Sequence, residues 1–209
     1  MYGILDEYYG IDTTPKKNIE EIILDRLGNS ENYHAFWKEG VLKTLSKELG
    51  YNAHGITFGF IPNYGGQVEF SMDLGGGQRT ITQIQFYVSL LDNVHTIQIL
   101  EIEESIEHHP FLKKDLPKQI LKEVWVSPEE HRNKDIFLRI QNSLEMTFGN
   151  SLYLPYSIQQ IKLGKIRLPH TDDKHENTIG DAFFRKILPL HQTDSIIRGN
   201  PNYGFDKLV

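Results

Sequence analysis

Residues 68–90, VEFSMDLGGGQRTITQIQFYVSL, decide the fold of this 209-residue chain. Apolar and polar side chains alternate on both sides of Gly75–Gly77, which is the period-2 pattern of a strand with one buried face. A short glycine-rich turn between two such runs is typical of an antiparallel hairpin. Together with turn signals at residues 62–66 and 91–93, the pattern predicts a four-stranded antiparallel meander at about residues 55–104.

The last strand of this meander has apolar side chains on both sides. Ile97 and Ile99 point one way, whereas Leu100 and Ile102 point the other way. Either a β-bulge shifts the register here or both faces of the strand are covered. We favour the second alternative, in which helices cover this strand.

Helical periodicity precedes the meander. Residues 14–27 and residues 30–49 each carry an amphipathic pattern with the period of an α-helix. The second pattern places Trp37 on its apolar stripe and ends at Gly50, a residue type that often terminates helices. We expect both segments to pack as helices on the sheet.

Helical periodicity returns after the meander. Residues 112–126 are predicted to form a helix with Pro117 in its first turn. Residues 127–130, SPEE, have the spacing of a capping box and predict the start of a further helix that ends at Gly149. Thr178 opens a last predicted helix.

These patterns predict an α+β fold in a single domain, residues 1–209. Its antiparallel sheet has four or more strands and is covered on one face by N-terminal and C-terminal helices. Residues 152–168 extend the sheet if they form a hairpin, and a short helix followed by a strand is the other interpretation. The expected parts are a helical segment (1–50), the meander (51–109), a helical part (110–198) and a tail (199–209).

Composition excludes several classes of protein. The chain has no Cys, which rules out disulfide frameworks, thiolate metal sites and cysteine nucleophiles. It has no apolar run of about 18 residues and no signal-peptide pattern, so we expect a cytoplasmic protein that does not associate with membranes. Phosphate-loop, dinucleotide-binding and serine-hydrolase motifs are missing, and we therefore expect no cofactor.

The net charge of −6 is unevenly distributed. Residues 1–109 hold 7 Lys and Arg against 16 Asp and Glu, whereas residues 110–209 hold 15 against 12. An acidic surface repels nucleic acid, whose binding depends on basic side chains that neutralise phosphates. The same surface attracts a basic protein partner through complementary charge.

The densest acidic run comprises Glu101, Glu103, Glu104 and Glu107. We predict that this run contacts a basic protein partner, with Trp37 and Tyr64 as aromatic anchors of the interface. The sequence therefore favours a non-enzymatic protein-binding protein. The specific hypothesis is an inhibitor of its partner, of the immunity-protein or antitoxin type.

The alternative hypothesis is a metal-dependent hydrolase or nuclease. Glu101 and Glu103 share one face of a predicted strand, where Asp73 would join them as metal ligands or as acid and base. This set is similar to the acidic site of nucleases of the restriction-enzyme type, although Glu103 stands where such a motif has Lys. A second candidate metal site, in a polar loop, comprises His170, Asp172 and His175.

Overall fold

The structure is a computed structural model that describes residues 32–57, 62–109, 111–164, 168, 177–184 and 196–198. Three predicted features lie outside these residues: the helix at 14–27, the tail at 199–209, and the loop with His170, Asp172 and His175.

The described chain forms a seven-stranded mixed sheet with helices, which confirms the predicted α+β class. Six strands follow the order β1-β2-β3-β4-β5-β7, and β6 pairs with the start of β4. The first five are antiparallel neighbours, whereas β6 and β7 run parallel to the strands they pair with. The strands are β1 (Ala53–Gly55), β2 (Asn63–Gly75), β3 (Gln78–Ser89), β4 (Val94–His109), β5 (Lys114–Trp125), β6 (Leu152–Tyr153) and β7 (Ile196–Arg198).

The start of β2 was predicted as a turn, which is wrong. Asn63–Gly66 pairs with the end of β3, and its glycines serve close packing instead of a turn. A Cβ atom on Gly66 would lie 2.4 Å from the ring of Phe86, and one on Gly65 would lie 3.2 Å from the ring of Tyr87. Two aromatic rings therefore occupy the space that side chains on β2 would need.

The segment that forms β5 was predicted as a helix, which is also wrong. Glu101 of β4 pairs with Glu123, but the next residue, Ile102, pairs with Leu121. Lys122 is thus an extra residue in β5, and this bulge interrupts the alternation. Leu121 and Val124 consequently lie on the same face three residues apart, a spacing that imitates helical periodicity.

The main core lies on one side of the sheet, called here the front face and defined by the aligned residues Val68, Ile84 and Ile99. One helix packs on the front face. It begins in π-helical geometry at Asn32–Leu42 and continues as α1 (Lys43–Leu49). The helix α2 (Lys134–Thr147) packs beside it through three buried side chains. None of the described helices is long and apolar enough to cross a membrane.

Helices also cover the opposite side, the back face, contrary to the prediction of cover on one face. The helices α3 (Tyr156–Gln159) and α4 (Ile179–Phe184) contribute to a second apolar cluster around Tyr87. Both faces of β4 are buried from Val94 to Leu100, as predicted for its two sets of apolar side chains. Leu100 and Ile102, however, pack in a third cluster with Ile81 and Leu121 of the neighbouring strands, and no described helix contributes to it. Thr178 and Asp181 cap α4 reciprocally, which confirms the predicted start of this helix.

The predicted capping box at 127–130 does not begin a helix. The chain turns at this point, with the His131 N–H donating to the Pro128 carbonyl at 3.0 Å, and α2 begins only at Lys134. His131 and Arg132 instead point to β4, where both bind Glu101. This tertiary contact outweighs the local preference for a helix start.

Candidate functional site

An open groove of about 410 Å³ lies on the front face, between the strand β5 and the segment that leads into α2. Trp125 and His131 contribute to its wall. Its other charged side chains are Glu101, Glu103, Glu123, Glu130, Lys122 and Arg132. The carboxylates of this lining therefore outnumber its permanently charged cations by two, and by one when Arg198, which binds Glu123, is included.

Glu101 occupies the inner end of the groove and accepts hydrogen bonds from three side chains. The Thr82 hydroxyl lies 3.0 and 2.9 Å from its two oxygens, and His131 Nε2 lies 2.8 Å from Oε1. Arg132 Nη2 lies 3.2 Å from Oε2 and also donates to the Thr82 hydroxyl at 2.7 Å. The four side chains form one connected network.

The network fixes the tautomer of His131. The backbone N–H of Asn133 donates to His131 Nδ1 at 3.0 Å, so Nδ1 has no proton and Nε2 donates its proton to Glu101. Both ring nitrogens are engaged, and only 7% of the residue is exposed. His131 thus holds Glu101 in place and has no free nitrogen for a substrate.

These contacts determine the charge state of Glu101. Burial raises the pKa of its carboxyl group, because a charge is less stable away from water. The hydrogen bonds from His131 and Thr82 and the charge of Arg132 act in the opposite direction and prevail. The pKa of Glu101 is consequently below its ordinary value of 4.5, and the carboxylate is ionised at neutral pH.

Glu123 occupies the outer end of the groove, directly opposite Glu101 across the two strands. It accepts the Trp125 indole N–H at 3.0 Å and a guanidinium N–H of Arg198 at 2.8 Å. The guanidinium carbon of Arg198 also lies 5.6 Å from the Trp125 ring centroid, within the range of a cation–π contact. Arg198 comes from β7, where it pairs with Trp125 in the ladder.

The other predicted acidic residues are spread over both faces. Glu103 lies in the groove, 3.4 Å from the ammonium group of Lys122. Glu104 points to the back face, where Arg79 and Gln119 bind it. Glu107 binds Lys118 at 2.8 Å. The acidic run is thus largely compensated, and only part of it faces the groove.

The two predicted aromatic anchors belong to the core. Trp37 has no exposed surface and stacks on Tyr64 with a centroid distance of 5.0 Å. Its indole N–H donates to the Gly65 carbonyl. Neither ring is placed to contact a partner in this structure.

The structure separates Asp73 from the two glutamates that the hydrolase hypothesis grouped with it. Asp73 pairs with Arg79, which in turn pairs with Glu104, so its side chain lies on the back face. Its carboxylate accepts the N–H of Gly75 in the hairpin turn. Within the described ranges, no three His, Asp or Glu side chains are grouped to hold a metal ion.

A second buried histidine contrasts with His131. His95 has no exposed surface; its Nδ1 contacts the Ser151 hydroxyl at 2.8 Å and its Nε2 has no hydrogen-bond partner. Burial lowers its pKa from 6.5 to about 4, and the charge of Glu145 opposes this shift only in part. His95 is therefore neutral at physiological pH.

Sequence reasoning missed the side chains that complete the groove: Thr82, Trp125, His131 and Arg132. The last three lie in segments that were predicted as helices, so their convergence on β4 was not foreseen. The segment from Trp125 to Arg132 does contain an indole, an imidazole and a guanidinium within eight residues. This local density is a signal in the sequence that could have indicated these three side chains.

Comparisons of the chain with protein-family models, curated proteins and solved structures return no match.

Proposed function

We propose that this chain is a non-enzymatic protein-binding protein that inhibits a basic partner, in the manner of an immunity protein or antitoxin. The groove is the proposed contact, and it receives basic side chains of the partner. The supporting observation is that four carboxylates and an indole line an open cavity whose lining has two permanent cations, with Arg198 as a third cation at its outer end. Carboxylates next to an aromatic ring attract Lys and Arg side chains by charge and by cation–π contact.

The arrangement of charges narrows the proposed contact to part of the acidic run. Glu104 and Glu107 are bound by cations outside the groove, whereas Glu130 lines the groove and is exposed. Glu103 has a single long contact, to Lys122. Glu103 and Glu130 are thus the carboxylates best placed to meet a partner. A cytoplasmic location is part of this proposal.

The test compares two charge-matched double variants in affinity capture from a lysate of the source organism. The groove variant is Glu103→Lys with Glu130→Lys. The control is Glu39→Lys with Glu48→Lys, two exposed positions on the N-terminal helix. We expect wild type and control to retain the same stoichiometric partner, and the groove variant to retain at least tenfold less. The loss should be largest at low salt, because the contact is electrostatic.

Inhibition is tested on the captured protein. Expressed alone, the partner should impair growth or show an enzymatic activity that the wild-type chain suppresses and the groove variant does not. Equal capture by both double variants would contradict the proposal, as would capture without inhibition. A tightly bound metal in the purified chain, lost on changing His170 or His175, would instead support the hydrolase hypothesis.

A further inference from the structure

The outer end of the groove already holds a guanidinium group, which the chain itself supplies. Arg198 binds Glu123 at 2.8 Å and lies over the Trp125 ring at 5.6 Å. Trp125 is oriented for this contact, because its indole N–H is fixed on the second oxygen of Glu123. The hydrogen bond and charge of Glu123 raise the pKa of the Arg198 guanidinium, and the charge of Glu130 adds a smaller contribution in the same direction.

We propose that Glu123, Trp125 and Glu130 form an arginine-binding subsite. Arg198 fills this subsite in the free protein, and an arginine side chain of the basic partner fills it in the complex. This inference rests on the proposed function, since it names the residue type that the partner inserts.

The chemistry of the subsite selects arginine over lysine. A guanidinium is planar, so it lies flat on an indole ring while its edge donates to a carboxylate. An ammonium group is a compact, strongly hydrated charge, and it satisfies both contacts less well. The observed position of Arg198 combines a ring contact and a carboxylate contact in one guanidinium.

The contact of Arg198 is suited to exchange. Its side chain is 44% exposed, and an ion pair at this exposure is weak because water screens it. Its strand, β7, has three residues and pairs in the described chain with β5 alone, at the edge of the sheet. The contacts of Glu101 are not suited to exchange, since its donors His131 and Thr82 are almost fully buried.

The experiment follows the Trp125 indole N–H by NMR while N-acetyl-arginine amide is added to the full-length protein. Trp37 is an internal control, since the chain has only two Trp residues and this one is buried in the core. We expect the probe to shift the Trp125 signal and to bind Arg198→Gln at least threefold more tightly than wild type. Adding Glu123→Gln to that variant should weaken binding at least tenfold, and N-acetyl-lysine amide should bind more weakly throughout.

The same variants are then tested with the captured partner. Arg198→Gln should bind the partner at least threefold more tightly, because it removes the competing side chain. A Trp125 signal that does not move in Arg198→Gln would overturn the subsite, and it would leave the proposed function intact if capture still depends on Glu103 and Glu130. Probe binding without any groove-dependent partner would overturn the role of the partner's arginine and the proposed function together.

Discussion

Glu101 and Glu123 lie opposite each other on neighbouring strands, yet the two ends of the groove that they form are built differently. Glu101 is 18% exposed and accepts hydrogen bonds from the buried side chains of Thr82 and His131 and from Arg132. Glu123 is 27% exposed, and its cationic donor is the half-exposed Arg198. The exposures differ little, whereas the donors differ in how firmly the fold holds them.

The two ends of the groove differ in how their carboxylates are held by the rest of the protein. At the inner end, the donors are part of the fold, so removing Glu101 leaves buried polar groups without a partner. At the outer end, the cationic donor Arg198 is a surface side chain that water replaces easily, and the second donor is the partly buried indole N–H of Trp125. The inner end therefore stabilises the segment that shapes the groove, and the outer end is where we propose that binding occurs.

The largest expected effect is on stability, and it distinguishes the two carboxylates. Glu101→Ala leaves the His131 N–H and the Thr82 hydroxyl unpaired, and we expect it to lower the free energy of unfolding by about 2–3 kcal/mol. Glu123→Ala returns the half-exposed Arg198 to water but also removes the acceptor of the partly buried Trp125 indole N–H, so we expect a smaller loss of about 1 kcal/mol. Urea unfolding followed by circular dichroism measures both values. Equal losses would show that the two ends do not differ in this way.

A smaller effect concerns acid stability. The fold lowers the pKa of Glu101, so its stabilising contribution is complete above pH 4.5 and is lost as the pH falls through the folded pKa. We expect Glu101→Gln to lose less stability than wild type when the pH is taken below 4.5. Urea midpoints measured across this range provide the test, with Glu123→Gln as the matched variant at the outer end.

His95 provides an independent control for this titration. Its pKa is lowered from 6.5 to about 4, so its contribution is complete above pH 6.5 and is lost between 6.5 and about 4. His95→Gln should flatten the stability profile in that window and leave the decline below it. Were His95→Gln to remove the decline below pH 4 instead, the assignment to Glu101 would be wrong.

The sheet could be predicted from the sequence because its signal is local. Residues 68–74 and 83–90 alternate without interruption, and the glycine triplet between them forms the turn. The strand β5 was not predicted, because the extra residue Lys122 interrupts the alternation of its apolar and polar side chains. A bulge is set by pairing with the neighbouring strand, and the strand's own sequence gives no separate signal for it.

The candidate site was predicted only in part for a related reason. Glu101 stood out because acidic residues are dense around it, but its donors lie 19, 30 and 31 positions away along the chain. The donors meet through strand register and through the turn before α2, whose sequence imitates a helix start. Density along the chain identified the carboxylate, whereas its role depends on contacts that only the fold brings together.

The smallest expected effect involves two threonines of β3 that share the front face with Glu101. Thr82 donates to Glu101, whereas the buried hydroxyl of Thr80 has no hydrogen-bond partner. Thr82→Val should therefore cost about 1 kcal/mol, and Thr80→Val should be neutral or slightly stabilising, because a methyl group replaces an unpaired hydroxyl. The two substitutions remove the same atom two positions apart, so differences in strand propensity cancel. Equal destabilisation by both in urea unfolding would mean that Glu101 gains nothing from Thr82, and the inner end would then depend on His131 and Arg132 alone.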